Sequence, residues 1–576
     1  MLATLTERRA AHLVLLAVLC ATVFFWFLGE TPFHNKGEPR EALVVQDIVT
    51  HGNWLFPLKA GWQIPSKPPL FHWIGALASL AWGEVTEATI RFPSALLGAL
   101  GVFLAYWAGA KLYDPLTGLL AGLMLATTFV YQNAATEARV DMTLAFFLAL
   151  PLLLFFGMHQ RILKNGLWWY LFFAIAGLGV LAKGPVSLIL TGLIITAFVA
   201  IKNEWSLVLR LARHPGVLVG LAIFGGWYGI ALANAGSEFA TLQFVKENLN
   251  RFFVHGEDGT GHQKPLYYFF PYLFSLGLPW TLFLPPLLWS YFKEQWFKDD
   301  RALFFGLWVA VVLGFFSLSA GKRPPYILPL YLPLTVLIAV WCRERAGRTG
   351  TVAKSVLSVG WLAAGMGAMM LAVLGAAILW SGSEASSLLG AAGLQEPEAA
   401  VIWRLVQENR WPYWYLLGSA VLCFLAARNL LLSRMLPAVA QLGALGIVTS
   451  LVIQGFVAPV LADALSYREF VRRAIRTAPD APLLLFPRGI DAAPILFYGG
   501  ERVERIRGNL QTLKTRLSES DVYVILSERQ WTKFRSEVPA VLLLQSRGRG
   551  ANGDDPLVLV RGRGAEQASA DLTRRR

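Results

Sequence analysis

The sequence predicts a mainly α-helical, polytopic membrane protein with about thirteen transmembrane helices and a small extracytoplasmic α/β domain at the C-terminal end. Three observations predict it. Hydrophobic residues make up 55% of the 576 and charged residues only 15%, against roughly 25% charged in soluble globular chains. Apolar stretches that approach the length needed to cross a bilayer core of roughly 30 Å recur up to residue 461. After that, short β-rich runs alternate with helical patterns. The mean hydropathy of +0.51 excludes both an ordinary cytosolic enzyme and a disordered chain.

The apolar segments fall near 11–29, 90–110, 118–135, 141–157, 167–182, 185–201, 215–235, 267–290, 302–319, 326–341, 354–380, 413–427 and 437–461. The 21 Trp and 37 Phe suit lipid-facing and interfacial positions. The net charge of +14 comes from basic residues lying between apolar runs. Orientation and anionic membrane lipids explain such charges more simply than nucleic acid does. Placing the N-terminus in the cytoplasm puts Arg161, Lys164, Lys202, Arg210, Arg213, Lys293, Arg343 and Arg428 on the inner side. Residues 1–461 then form the membrane domain, with long outer stretches at 30–89, 236–266 and 381–412. Residues 462–565 form an outer α/β domain built on Leu483–Phe486, Val522–Leu526, Val541–Leu544 and Leu557–Val560, and 566–576 is a basic tail. Cys20, Cys342 and Cys423 lie in or beside apolar segments and read as small membrane hydrophobes.

Polar residues cluster on the outer side, which is the main functional signal in such a chain. The first outer loop opens His34-Asn35-Lys36-Gly37-Glu38-Pro39-Arg40-Glu41. Pro39 suits the first turn of a helix, and Ala42, Val45, Ile48 and Val49 give it an apolar face ending near Gly52. Glu38 then stands at the helix N-terminus, where the dipole favours its ionised form. Read alone, it is either an acid facing an aqueous chamber or a helix cap. Lys67 sits among Pro65, Pro68 and Pro69, which stiffen its backbone. Its ammonium serves either a phosphate at the bilayer surface or the interface, as a snorkelling lysine.

Asp141 opens the fourth span, an expensive place for a carboxylate unless it is functional or paired, with Arg139 as a possible structural partner. Lys183-Gly184-Pro185 and Lys322-Arg323-Pro324-Pro325-Tyr326 are short outer turns whose cations stay near membrane depth. With Lys67 and Arg40 they converge as a basic pocket for an anionic head group. The second outer loop carries Glu247, Arg251 and His262, the last a candidate for binding a metal or an acceptor. Walker, Rossmann, HExxH and CxxC patterns are absent, so a nucleotide-driven engine is not indicated.

These motifs, taken in order, resemble the GT-C membrane glycosyltransferases, the group of the protein O-mannosyltransferases and the lipid A aminoarabinose transferase (glycosyltransferase family 83). The resemblance rests on Gly37-Glu38-Pro39-Arg40, Gly52-Asn53-Trp54, Ser66-Lys67-Pro68-Pro69, Val140-Asp141-Met142, Ala182-Lys183-Gly184, Asn250-Arg251-Phe252, Pro265-Leu266-Tyr267-Tyr268 and Gly321-Lys322 with Pro325-Tyr326. It implies a polyprenyl-phosphate sugar as donor and a lipid or protein as acceptor. It implies catalytic roles for Glu38 and Asp141, and phosphate binding by Arg40, Lys67, Lys183, Lys322 and Tyr326. Arg251 and His262 fall on the acceptor side or its loop, and His262 matches a position that helps hold a divalent metal ion. Two departures stand out: Gly37 replaces the first of two adjacent acids, and Ser66 replaces a metal-holding glutamate.

A polyprenyl phosphate leaves readily once cations neutralise it, so the chemistry needs charge stabilisation and alignment more than a strong acid. A hydroxyl acceptor also needs a base, whereas a phosphate acceptor needs little or none. Direct displacement inverts the sugar carbon. The competing reading is a transporter or flippase of a lipid-linked sugar, which also explains many spans and anion-binding cations. It lacks the paired repeats with broken helices that transporters often show.

Overall fold

The computed structural model describes residues 9–254, 264–346, 354–379, 396–506, 508–519, 521–550 and 556–562. Each of the thirteen apolar stretches coincides with a helix or a bent pair of helices. Among the described residues, eight helices are long and apolar enough to cross a membrane, or up to ten if each bent pair is one span. Arg9–Phe25, Leu167–Lys183 and Val186–Lys202 are apolar but shorter. Pro115–Ala126 and Phe129–Thr136 meet at 64°, and Leu266–Leu276 and Trp280–Lys293 at 109°. The second bend falls at Gly277-Leu278-Pro279, where the proline cannot continue the incoming helix.

Small residues set how closely the helices approach, as in membrane bundles generally. The helices Glu87–Leu112 and Pro115–Ala126 touch backbone to backbone. A Cβ on Gly109 would lie 2.7 Å from the Gly118 Cα. Asp114 caps the second of these helices, accepting from Leu116 N–H and Thr117 N–H. Gly177 plays the same part against Gly220, where a Cβ would lie 2.7 Å from the Gly220 carbonyl oxygen. The three cysteines are buried and free.

The first outer loop is not a plain loop. It carries the helix Glu38–His51, with Pro39 in its first turn and Gly52 closing it at φ 71°, as the sequence predicts. It also carries an apolar helix, Leu70–Trp82, buried along one side. These two helices pack on each other, and both meet the start of Glu87–Leu112.

The C-terminal region holds a five-stranded sheet: β1 Leu483–Leu485, β2 Val503–Arg505, β3 Tyr523–Ser527, β4 Ala540–Gln545 and β5 Leu557–Gly562, in the order β2-β1-β3-β5-β4. The first three pair in parallel, and β5 runs antiparallel to β3 and β4. Strand β2 adds to the four runs legible in sequence; its Glu504 and Arg505 are exposed, so it has no apolar alternation. The helix Ala492–Gly499 docks this unit on Glu38–His51. The Phe33 and Phe497 ring centroids are 5.2 Å apart, and Phe33 N–H donates to the Tyr498 hydroxyl at 2.8 Å. That hydroxyl donates to Glu87 at 2.9 Å. Residues 381–395 of the third outer stretch, and the basic tail, lie outside the described residues.

Gly109→Val is expected to force the helices Glu87–Leu112 and Pro115–Ala126 apart and lower stability by about 1–3 kcal/mol or more, the usual scale of overpacking. Thermal unfolding of the purified protein checks this; an unchanged midpoint contradicts the close contact.

Candidate active site

The helix Glu38–His51 has two faces. Gly37, Arg40, Glu41 and Val44, at positions i, i+3, i+4 and i+7, line a polar cavity of about 370 Å³. Glu38, Ala42 and Val45 turn into the protein. Eight cationic side chains line the cavity, among them Arg40, Lys67, Lys183 and Arg251, against only three carboxylates, Glu41, Asp141 and Glu247. That excess of cationic side chains makes the chamber electrostatically complementary to an anion.

Beside it lies a second cavity of about 450 Å³ whose walls are mostly apolar, including Leu144, Val186, Ile189, Phe244, Phe252 and Phe316. The two share Lys67, Lys183, Glu247, Arg251 and Tyr326 as a common wall. A cationic head chamber therefore opens against a greasy one across five residues that come from four separate parts of the chain.

That wall is cross-linked. Lys183 donates to Asp141, and its ammonium sits 4.7 Å over the Tyr326 ring. Lys67 donates to Glu247 at 2.5 Å, and Arg251 meets the same carboxylate at 3.1 Å. Burial pushes the Lys67 ammonium below the ordinary lysine value, with Glu247 opposing that shift. Each lysine has three N–H donors and spends one on its carboxylate, so donors remain for a second acceptor. Arg40, half exposed at the rim, is held by Asp491 of the C-terminal unit at 3.0 Å.

Glu38 requires a correction: it does not line the cavity. Its carboxylate is 1% exposed and fully engaged. Oε1 accepts from Arg91 Nε at 2.7 Å and from Ala138 N–H at 2.9 Å. Oε2 accepts from Arg91 Nη2 at 3.0 Å and from Asn35 Nδ2 at 2.9 Å. Burial alone would raise its pKa, but Arg91 and the Ala138 amide outweigh it and hold the carboxyl below the ordinary range. No oxygen remains for a substrate proton. Lys322 also departs from expectation and lines neither cavity. Its ammonium donates to the Lys264 carbonyl at 3.0 Å and the Ser319 carbonyl at 2.5 Å, closing its own turn. Arg139 pairs with Glu137 at 3.1 Å rather than with Asp141.

Asp141, Arg40, Lys67, Lys183, Arg251 and Tyr326 do come together. Glu41 and Glu247 join them as residues sequence reasoning passed over. The helical wheel marks Glu41 as a cavity residue, because it stands one turn beyond Gly37. Nothing local marks Glu247. His262 lies outside the described residues. Among the described residues no three His, Cys, Asp or Glu side chains converge to hold a metal ion, and position 66 is serine. The donor set for a metal is thus not met by the described residues, and the chemistry derived for the cavity uses only its own side chains.

The architecture and site define a GT-C fold, the class of membrane proteins in which a helical bundle carries a structured first outer loop. Residues 66–228 match the family described as dolichyl-phosphate-mannose-protein mannosyltransferase. The chain is similar to an undecaprenyl phosphate-alpha-4-amino-4-deoxy-L-arabinose arabinosyl transferase of Sodalis glossinidius, 29% identical over 336 residues, 57% of this chain and 60% of the relative. It is also similar to one from Pseudomonas aeruginosa (strain LESB58), 29% identical over 344 residues, 58% of this chain and 60% of the relative. The matched stretch spans about 60% of the length of these relatives. In structure it resembles ArnT from Cupriavidus metallidurans bound to undecaprenyl phosphate, with a TM-score of 0.76 at 20% identity over 95% of this chain and 97% of that one. That likeness establishes the GT-C fold along nearly the whole chain. Nothing in these likenesses favours the transporter reading.

Glu38→Gln is expected to act on stability rather than on chemistry, because it leaves the buried Arg91 guanidinium without its counter-charge. Breaking a buried pair from one side costs about 3–5 kcal/mol. Thermal unfolding of the variant in detergent checks this. A normal midpoint combined with lost turnover would return Glu38 to the reaction.

Proposed function

We propose that this chain is an inverting membrane glycosyltransferase that moves a sugar from a polyprenyl-phosphate donor, undecaprenyl phosphate in a bacterial membrane, to an acceptor at the outer face. The acceptor is lipid A, another glycolipid or polysaccharide, or protein. The observation that carries this reading is the shared wall between the cationic chamber and the apolar cavity. A lipid phosphate needs one compartment for its charge and another for its chain, joined where the phosphate meets the first isoprene unit.

Lys67, Lys183, Arg251 and Tyr326 stand at that junction and hold the phosphate. Arg40 serves it from the rim. As the sugar C1–O bond to phosphate breaks, the electron pair moves onto the phosphate oxygen, where these fixed cations stabilise it. The acceptor oxygen bonds to C1 from the opposite side, so the sugar carbon inverts. Asp141 keeps Lys183 in place, and Glu247 does the same for Lys67 and Arg251. Glu38 is the strut that positions the chamber wall.

The protein lies in the bacterial cytoplasmic membrane with its N-terminus inside and the sheet unit outside. Two things support that orientation. Basic residues concentrate in the loops assigned inside. The sheet unit and the first outer loop share one core and so one side of the membrane.

Incubation of purified protein with a panel of undecaprenyl-phosphate sugars, followed by mass spectrometry of candidate acceptors, tests the activity. Release of undecaprenyl phosphate with a glycosylated product supports it. Transbilayer movement of donor without product contradicts it. Lys67→Ala is expected to raise the donor KM roughly 10- to 100-fold, the scale of one lost charge-assisted hydrogen bond. Unchanged donor use would remove Lys67 from the phosphate site.

A further inference from the structure

The three carboxylates facing the chamber are not equivalent. Glu247 is held by both Lys67 and Arg251. Asp141 is held by Lys183. Each is neutralised by a cation and committed to positioning it. Glu41 is different. Among the described residues, no Lys or Arg lies within ion-pair distance of it, and its side-chain partner is His72, whose Nε2 is 2.6 Å from Oε2. Glu41 is 20% exposed on its side chain, whereas His72 is entirely buried.

The state of His72 follows from its surroundings. Its other ring nitrogen, Nδ1, is buried and has no hydrogen-bond partner among the described residues. A proton there would be an unsatisfied buried donor, which is costly. The Glu41 carboxylate can only accept, so the contact is a donation from His72 Nε2–H to Oε2. Its backbone is seated in the first turn of Leu70–Trp82, and its ring packs edge-on against Phe71 at 5.6 Å. The result is a carboxylate anchored through Oε2 by a rigid donor. Among the described residues, Oε1 has no hydrogen-bond partner. This is the arrangement of a general base oriented by a second group.

Position 37, one turn before Glu41 on the same face, offers no competing side chain. A Cβ there would lie 3.0 Å from the Arg139 guanidinium, so the glycine lets Arg139 close over the helix start.

We propose that Glu41, oriented by His72, takes the proton from the acceptor nucleophile, and that this nucleophile is therefore a hydroxyl group rather than a phosphate. The inference rests on the glycosyltransferase reading above. The acceptor O–H proton passes to Glu41 Oε1 as the acceptor oxygen bonds to the sugar C1. The C1–O bond to the donor phosphate breaks, and its electron pair leaves with undecaprenyl phosphate. The proton on Glu41 then returns to water. An anionic phosphate nucleophile has no proton to give up and gains nothing from this pair. Glu41 is the catalytic residue; His72 is a positioning residue.

The test uses full-length protein in nanodiscs, an undecaprenyl-phosphate sugar that the wild type turns over, and two defined acceptors, octyl glucoside and dodecyl phosphate. Binding of undecaprenyl phosphate is measured separately for every variant. Wild-type protein is expected to glycosylate octyl glucoside in preference to dodecyl phosphate. Glu41→Gln is expected to lower kcat on octyl glucoside roughly 100- to 10,000-fold, the range for a lost general base, with undecaprenyl phosphate binding within about threefold of wild type. His72→Phe is expected to lower kcat with donor KM unchanged. His72→Gln, which restores an N–H near the Nε2 position, is expected to recover part of that loss, whereas a merely structural histidine would show no such recovery.

If Glu41→Gln does not fold, Glu41→Asp replaces it and is expected to retain donor binding with kcat reduced. Near-normal kcat in whichever Glu41 variant folds overturns the base assignment while the donor reading stands. Preference for dodecyl phosphate overturns the hydroxyl assignment. Failure of the wild type to bind undecaprenyl phosphate overturns the donor reading and this inference with it.

Discussion

The buried pair of Glu38 and Arg91 is the constraint on which the region around both cavities depends. Arg91 spends two donors on Glu38 and gives others to the Leu28 carbonyl at 3.0 Å and the Thr31 carbonyl at 2.7 Å. Glu38 in turn binds the Ala138 amide. One ion pair thus joins the turn after the first helix, the start of Glu38–His51, the second turn of Glu87–Leu112 and the turn before Asp141. Charges buried at that depth are tolerated only when every donor and acceptor is matched, and here the carboxylate is saturated. The price is that Glu38 is unavailable for chemistry. The benefit is that Arg40 and Glu41, carried on the other face of the same helix, are aimed by a rigid base.

Chemistry near the membrane surface raises a problem of dielectric. Cations strong enough to hold a phosphate repel one another and resist burial. The chamber meets this by pairing its lysines with carboxylates that do not consume all their donors: Lys67 with Glu247 and Lys183 with Asp141. The pairs hold the ammonium groups in place before a ligand arrives, which is electrostatic preorganisation. The C-terminal unit adds to the same device. Asp491, which caps the helix Ala492–Gly499, also holds Arg40, and Arg505 lies 4.8 Å over the Trp62 ring of the first outer loop. The sheet unit therefore touches the chamber's rim rather than standing apart from it.

Much of this was legible in the sequence, for reasons that also explain the remainder. Apolar runs betray helices because the bilayer admits little else, and the cap at Gly52 and the proline at 39 bound the first outer helix. The meeting of Lys183 with Lys67 and Arg40 follows from motifs legible in sequence, whereas the place of Arg251 beside them does not. What failed was partner choice. Glu38 resembles an exposed helix-start acid until Arg91, 53 positions away, is folded against it. Glu247 meets Lys67 across 180 positions, a pairing no local pattern reports. Lys322 reads as a phosphate ligand, but its ammonium is taken by the Ser319 carbonyl of its own turn and the Lys264 carbonyl 58 positions away. Glu41 is the exception: its place on the i, i+4 face with Gly37 follows from helical spacing alone.

The claim that head chamber and apolar cavity together hold one lipid phosphate is tested most directly by ligand binding without turnover. Native mass spectrometry of the purified protein, titrated with undecaprenyl phosphate, undecaprenol and inorganic phosphate, separates the two contributions. The account predicts that undecaprenyl phosphate binds at least about tenfold more tightly than either partial ligand, since one lacks the charge that the wall cations engage and the other lacks the chain. Equal binding of undecaprenol and undecaprenyl phosphate would contradict it.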